Sequence, residues 1–125
     1  MQTLKLEATW EKAISEKDRS LVQRVFEQES FNGEPIQFTP LRMDRNYKGE
    51  LLVIVIVHNT TDEEKKFMND KISLVHGEVT LAEYVFTLPN LVVEAKTSIP
   101  WTFIFPVGSY KDSEGLSEGV LKIFP

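Results

Sequence analysis

The sequence contains no cysteine, and this absence removes several kinds of chemistry at once. Disulfide bonds, zinc–thiolate centres, iron–sulfur clusters and thiol nucleophiles all require that residue. The fold must therefore be held together by packing. A chain of 125 residues buries roughly two-thirds of the surface that it exposes when unfolded, which is enough for one domain with a self-sufficient core.

Positive charge is also scarce. The chain has 14 Lys and Arg residues against 19 Asp and Glu residues, a formal net charge of -5, and no basic arm or acidic tail is visible. Proteins that bind nucleic acids or anionic lipids need clustered cationic side chains to displace counterions or meet the headgroups. The composition therefore argues against both classes of partner.

Long apolar runs are absent as well. The longest, Leu51 to Val57, is much shorter than the roughly 18 apolar residues of a membrane span. The first residues lack the basic stretch and the apolar run of a secretory signal. We therefore expect a cytoplasmic protein with no integral membrane segment.

Residues 1–35 carry the one predicted helix. Ser15 and Asp18 resemble a capping box, in which the serine hydroxyl accepts a backbone N–H at the helix start. Pro35 disfavours a helical conformation at the preceding residue and so ends this region. The supporting apolar positions are Leu4, Leu6, Ala8 and Trp10, which alternate as in a strand, and Leu21, Val22, Val25 and Phe26, which form one stripe of the helix.

Residues 36–125 alternate short apolar segments with turn-forming residues. Pro40 interrupts the segment from Ile36 to Met43, which indicates an edge strand or a bulge. Leu51 to Val57 has β-branched residues on both sides, as in a strand covered on both faces. Further strands are predicted at 71–75, 79–88, 91–93, 99–100, 101–105 and 120–124, with hairpin turns at 46–49 and 76–77.

Seven or eight short strands after one helix predict a mainly β protein, in the form of an antiparallel immunoglobulin-like β-sandwich. We expect a single domain over residues 1–125. An N-terminal strand and helix occupy 1–35, and the sandwich strands occupy 36–125.

Catalytic and metal-binding motifs are sparse. His58 and His76 are the only imidazoles, and their spacing places no pair of metal ligands on one face. The common nucleophile and phosphate-binding motifs do not occur. We therefore expect no catalytic residue, no metal and no cofactor. The enzyme alternative uses His58 or His76 with nearby carboxylates, and it predicts that the two imidazoles converge in a pocket.

Aromatic residues stand above background, with eight Phe, three Tyr and two Trp. Trp101, Phe103 and Phe105 share one face of a strand, and together with Trp10 they would fill the core. The alternative is an exposed stacking surface for sugars or peptides.

Asn59, Thr60 and Thr61 match the N-x-[ST] glycosylation pattern, which implies an exposed turn. The same three residues are also typical turn formers, because their side chains hydrogen-bond to nearby backbone groups. The pattern therefore has two interpretations, a glycosylation acceptor and a turn.

Three groups of residues together are similar to a known family, the SLAP domain. This is the module of accessory-Sec-system S-layer assembly proteins of Gram-positive bacteria, and the resemblance covers nearly the whole chain. It implies a noncatalytic module associated with export of S-layer proteins through the accessory SecA pathway. The matching residues are Trp10, Ile14, Ser15, Asp18 and Arg19, then Gly49, Leu51, Val53, Asn59 and Thr61, and finally Pro100, Trp101, Phe103, Phe105 and Pro106.

These observations predict a nonenzymatic module that binds another protein, either a secretion component or a surface-protein client. An extended client segment would add to an exposed sheet edge, where main-chain hydrogen bonds give affinity. The edge candidates are Ile36, Phe38, Leu41 and Met43. A small-ligand or cell-wall carbohydrate binder built on the same sandwich is the alternative, and homo-oligomerisation is left open.

Overall fold

The computed structural model describes residues 2–6, 15–111 and 116–124. Within these ranges the chain forms seven strands in two sheets and one α-helix, so the prediction of a mainly β fold with one N-terminal helix is confirmed. The immunoglobulin-like class stays a prediction. In chain order the elements are β1 (Thr3–Leu4), α1 (Glu16–Gln28), β2 (Ile36–Arg45), β3 (Leu51–Asn59), β4 (Lys65–His76), β5 (Val79–Val93), β6 (Thr97–Phe105), a 3-10 helix (Leu116–Glu118) and β7 (Val120–Phe124).

The strands form a four-stranded sheet A, in the order β1-β6-β3-β2, and a three-stranded sheet B, in the order β5-β4-β7. Neighbouring strands are antiparallel except β1, which runs parallel to β6. The arrangement is antiparallel as predicted, apart from the short parallel pair of β1 with β6. No hairpin joins β1 to β6, so chain connectivity does not impose an antiparallel direction on that pair.

The core lies between the two sheets, and Phe103 is at its centre. The rings of Phe38, Phe67 and Phe86 each meet the Phe103 ring at a steep angle, with centroid distances of 5.6, 6.0 and 5.4 Å. Edge-to-face geometry of this kind stabilises aromatic pairs beyond the burial of their area. Phe103 and Phe105 are fully buried, and Trp101 packs against the same core. These rings do not form an exposed stacking surface.

Strand β3 is covered on both faces, as predicted. Val53, Val55 and Val57 alternate into the core between the sheets, while Ile56 and His58 point the other way and are equally buried. Helix α1 lies over this outer face and buries Val22.

The predicted capping serine begins the helix. The hydroxyl of Ser15 accepts the backbone N–H of Asp18 at 3.1 Å, and α1 follows from the next residue. Of the predicted first strand, Leu4 belongs to β1, whereas Ala8 and Trp10 lie outside the described residues.

Several strands are longer than their apolar segments predict. Strand β4 begins at Lys65, within a charged run, and β5 continues through Pro89 and Asn90, where a break was expected. Register shifts on β4 absorb the irregularity, and Asn69 within them has a φ of 56°. Bulges let a ladder continue past residues that do not fit its regular pairing, so local composition underestimates strand length.

Strand β2 lies at the edge of sheet A and changes register at Pro40, as predicted. The N–H of Thr60 donates to the carbonyl of Pro35 at 3.0 Å, which sets the phase of the β2–β3 ladder. Because alternate residues bond to the partner strand, Gln37 and Thr39 direct their backbone groups toward β3. The missing N–H of Pro40 therefore falls on the unpaired side, where it removes no ladder bond.

Replacing Pro40 by valine places an unpaired N–H on this edge, and we expect self-association to increase because edge prolines limit pairing between molecules. Sedimentation velocity over a range of protein concentrations measures the effect. Arg42→Val adds the same side chain to the same strand without changing the number of backbone donors. Equal association of the two variants, or none by Pro40→Val, contradicts this role of the proline.

Candidate functional site

A chain of hydrogen bonds joins α1 and the N-terminal segment to sheet A around His58. The ring Nε2 lies 2.7 Å from Thr39 Oγ1, and Nδ1 lies 2.6 Å from Ser98 Oγ. The Thr39 hydroxyl donates to the carboxylate of Glu29, the C-cap residue of α1. At the other end, Gln2 Nε2 donates to Ser98 Oγ at 3.1 Å. The five side chains thus link three parts of the structure: the N-terminal segment, α1 and sheet A.

The two ends of the chain determine where the protons of His58 lie. Thr39 gives its only hydroxyl proton to Glu29, so its oxygen accepts from His58 and Nε2 carries the proton. Nδ1 then accepts the hydroxyl proton of Ser98, whose oxygen accepts from Gln2. Each hydrogen-bond donor in this chain therefore has an acceptor. The His58 imidazole carries one proton and is neutral.

Burial lowers the pKa of His58 to about 4, while the negative charge of Glu29 acts in the opposite direction. The side chain is completely buried. The ring of Phe26 stacks on it at 6.3 Å, and the ring of Phe31 meets it edge-on at 5.0 Å. This environment holds His58 neutral at physiological pH.

The contact between Ser98 and His58 has the spacing of a nucleophile and its general base. Both side chains are completely buried, however, so a substrate has no approach to the serine oxygen in this conformation. His76 lies at the end of β4 in sheet B, half exposed, with Nε2 3.7 Å from Glu118. The two imidazoles share no contact residue, and the structure does not bring them together in a pocket.

The neutral, buried His58 makes folding stability depend on pH. Its folded pKa of about 4 lies below its ordinary value of 6.5, so the unfolded state takes up the proton first as the pH falls. Its contribution to the free energy of unfolding is complete above about pH 6.5 and declines by about 3 kcal/mol toward pH 4.

Urea unfolding of the wild type and of His58→Gln between pH 4 and pH 7.5 measures this dependence. Carboxylates titrate in both proteins, so the difference between the two curves isolates His58. His76→Gln, which removes the exposed imidazole at the end of β4, is the matched control for the loss of a histidine. Parallel curves for the wild type and His58→Gln would show that burial does not lower the pKa as described.

Asn59 connects three chain segments at the end of β3. Its Nδ2 donates to the carbonyls of Glu63 at 2.7 Å and Val93 at 3.0 Å. Its Oδ1 accepts the N–H and the hydroxyl of Thr61, at 3.1 and 2.7 Å. These bonds agree with the turn-forming interpretation, and the Asn59 side chain itself is completely buried.

Asn59→Asp replaces an amide donor by an oxygen that faces carbonyl oxygens. We expect the free energy of unfolding to fall by at least about 2 kcal/mol, because buried acceptors lose their donor and a charge is buried beside them. Denaturant unfolding at pH 7 measures the loss. Asn90→Asp makes the same chemical change at an exposed position of β5, and a loss as large in that control would contradict the explanation.

The open edge of the molecule lies where β2 and β7, the outer strands of the two sheets, face each other. No segment of the described ranges pairs with the outer side of either strand. The opposite edge is partly capped. There Glu83 N–H donates to Ser109 C=O at 3.0 Å, Lys111 N–H donates to Leu81 C=O at 2.8 Å, and β1 pairs with the start of β6.

A groove of about 510 Å³ lies between β2 and β7 at the beginning of β2. Ile36 and Ile123 supply its apolar lining. Lys65 Nζ lies 3.1 Å from Asp70 Oδ1, and this ion pair is mostly buried. Lys122, on β7, is exposed and makes no ion pair with any described residue. The remaining lining residues are Glu34 and Pro35.

The structure places the four predicted edge residues in two environments. Ile36 and Phe38 direct their side chains into the core, and Leu41 and Met43 are half-buried near the bulge. What this edge offers a partner is therefore mainly its backbone. The sequence did not predict that Lys65, Asp70, Lys122 and Ile123 line one groove with Ile36, because these residues lie on strands that are distant in sequence.

The other described motif residues lie in turns, in a strand of sheet A and beside α1. Gly49 has a φ of 81° in the β2–β3 turn, and its carbonyl accepts the hydroxyl of Tyr110 at 2.6 Å. Pro100 is buried opposite Ile56 on the outer face of sheet A. Arg19 lies in a hollow between α1 and the N-terminal segment, and Pro106 accepts the turn N–H of Ser109. Trp10 lies outside the described residues.

The family model of the SLAP domain matches residues 4–123, nearly the whole chain. The chain belongs to the SLAP domain family. No curated protein and no solved structure matches the sequence. In the described part of this SLAP domain, no helix is long and apolar enough to cross a membrane. The same part has no group of three or more His, Cys, Asp or Glu side chains arranged to hold a metal ion.

Proposed function

We propose that this SLAP domain is a nonenzymatic protein-interaction module of the cytoplasm that assists export of S-layer proteins by the accessory Sec pathway. Family membership supports the link to this pathway. The observation that carries the interaction role is the open edge formed by β2 and β7. A sheet edge exposes N–H and C=O groups that pair with an extended chain of almost any sequence.

The buried polar chain around His58 supports a binding role more than a catalytic one. A catalytic base needs a path to substrate and a pKa near the working pH. His58 has neither, because it is completely buried and its pKa is lowered to about 4. The cluster instead attaches α1 to sheet A, which leaves the β2–β7 edge as the surface on which a partner can act.

The carbohydrate-binding alternative depended on exposed aromatic rings beside a groove. Phe103 and Phe105 lie in the core, and Trp101 packs against it. Among the residues that the structure describes, the lining of the β2–β7 groove is aliphatic and charged and includes no aromatic ring. The burial of these described rings supports the protein-binding proposal over the carbohydrate alternative, while Trp10 lies outside the described residues.

A capture experiment in extract of the native host tests the proposal. The immobilised domain is cross-linked to bound proteins, which are identified by mass spectrometry. We expect a secretion component or a surface-layer protein to be recovered and to be competed away by excess free domain. Recovery of neither class would contradict the export role.

A further inference from the structure

We propose that the β2–β7 groove is a strand-addition site for an extended segment of a partner protein. This deepens the proposed function, since it specifies where and how the partner binds. The segment pairs its backbone with the first half of β2. It places one apolar side chain between Ile36 and Ile123 and an acidic side chain beside Lys122.

Backbone geometry restricts pairing to the first half of β2. The ladder phase directs the N–H and C=O groups of Ile36 and Phe38 away from β3, toward the open edge. Beyond them, Pro40 has no N–H and the register shifts, which interrupts any added ladder. The available edge is therefore short, and it begins where the groove lies.

The groove lining selects the side chains of the occupant. Successive side chains of an added strand point to opposite faces, so alternate residues enter the groove. There they meet Ile36 and Ile123, which favour an apolar side chain. Lys65 Nζ and Asp70 Oδ1 form an ion pair at 3.1 Å. Their charges neutralise each other, so this pair does not attract a charged side chain of the occupant.

Charge at the rim selects for an acidic residue. Lys122 belongs to the groove lining and has no ion-pair partner in the described ranges. A carboxylate beside its ammonium group gains Coulomb energy, which increases as the bound segment excludes water from the pair. Glu34, on the β2 side of the same groove, repels a second acid and disfavours a uniformly acidic segment.

Two synthetic peptides test the proposal by NMR. One alternates Val and Thr and carries a single Asp, and its twin carries Lys in place of the Asp. We expect the Asp peptide to shift the amide signals of Ile36 and Phe38 and to slow their hydrogen exchange about tenfold. Lys122→Glu should reverse the preference between the peptides. Lys111→Glu, at the capped edge, should leave it unchanged.

A pair of variants separates the backbone from the side chain at position 36. Ile36→Ala and Ile36→Pro both remove the isoleucine side chain, but only the proline removes the edge N–H, which is not used in the β3 ladder. We expect Ile36→Pro to bind the Asp peptide at least about tenfold more weakly than Ile36→Ala. Equal affinities would overturn pairing with this edge, and the Lys122→Glu result remains decisive if the proline variant does not fold.

The outcomes also separate this site from the proposed function. Protection of amides on other strands, or no binding by either peptide, overturns the groove even if the host extract yields an export partner. Protection of Ile36 and Phe38 with reversal by Lys122→Glu supports the groove. That result would stand even if the extract yielded no export protein, in which case the export role alone fails.

Discussion

Strand β3 is buried on both of its faces, and this burial explains where the other elements pack. Its inward valines require a second sheet, and its outward face is also buried, with Phe26 of α1 stacked on His58. Because a buried apolar face contributes about 25 cal/mol for each Å² removed from water, both coverings are strongly favoured. The two sheets and the helix are therefore arranged around one strand.

The same constraint explains the polar chain that crosses the helix–sheet boundary. An imidazole on a fully buried face must be neutral and must bond at both nitrogens, which Thr39 and Ser98 satisfy. Glu29 sits at the C-terminal end of α1, where a carboxylate opposes the helix dipole. Its hydrogen bond from Thr39 offsets that disadvantage and fixes the position of the helix end on the sheet.

Strand β2 is ten residues long. It must remain available to a partner segment, and it must also resist uncontrolled pairing with other molecules. From Pro40 onward it has a missing N–H and a register shift, which are common protections against uncontrolled pairing. Its first half has regular pairing with β3 on one side, an open edge on the other and a groove beside it. This division lets an edge strand remain available to one short segment while the rest of its length resists aggregation.

Features that depend on near neighbours in the chain could be predicted before the structure was known. They are the Ser15 cap, the doubly covered β3, the edge position marked by Pro40, the aromatic core strand and the family. Periodicity and turn chemistry act within a few residues, so they can be read directly. Other features are visible only in the folded chain: β4 and β5 continue through their bulges, His58 contacts Thr39 and Ser98, and Ile36 lies across a groove from Ile123. These contacts join residues far apart in the chain, and their formation depends on sheet register and helix packing, which no local pattern encodes.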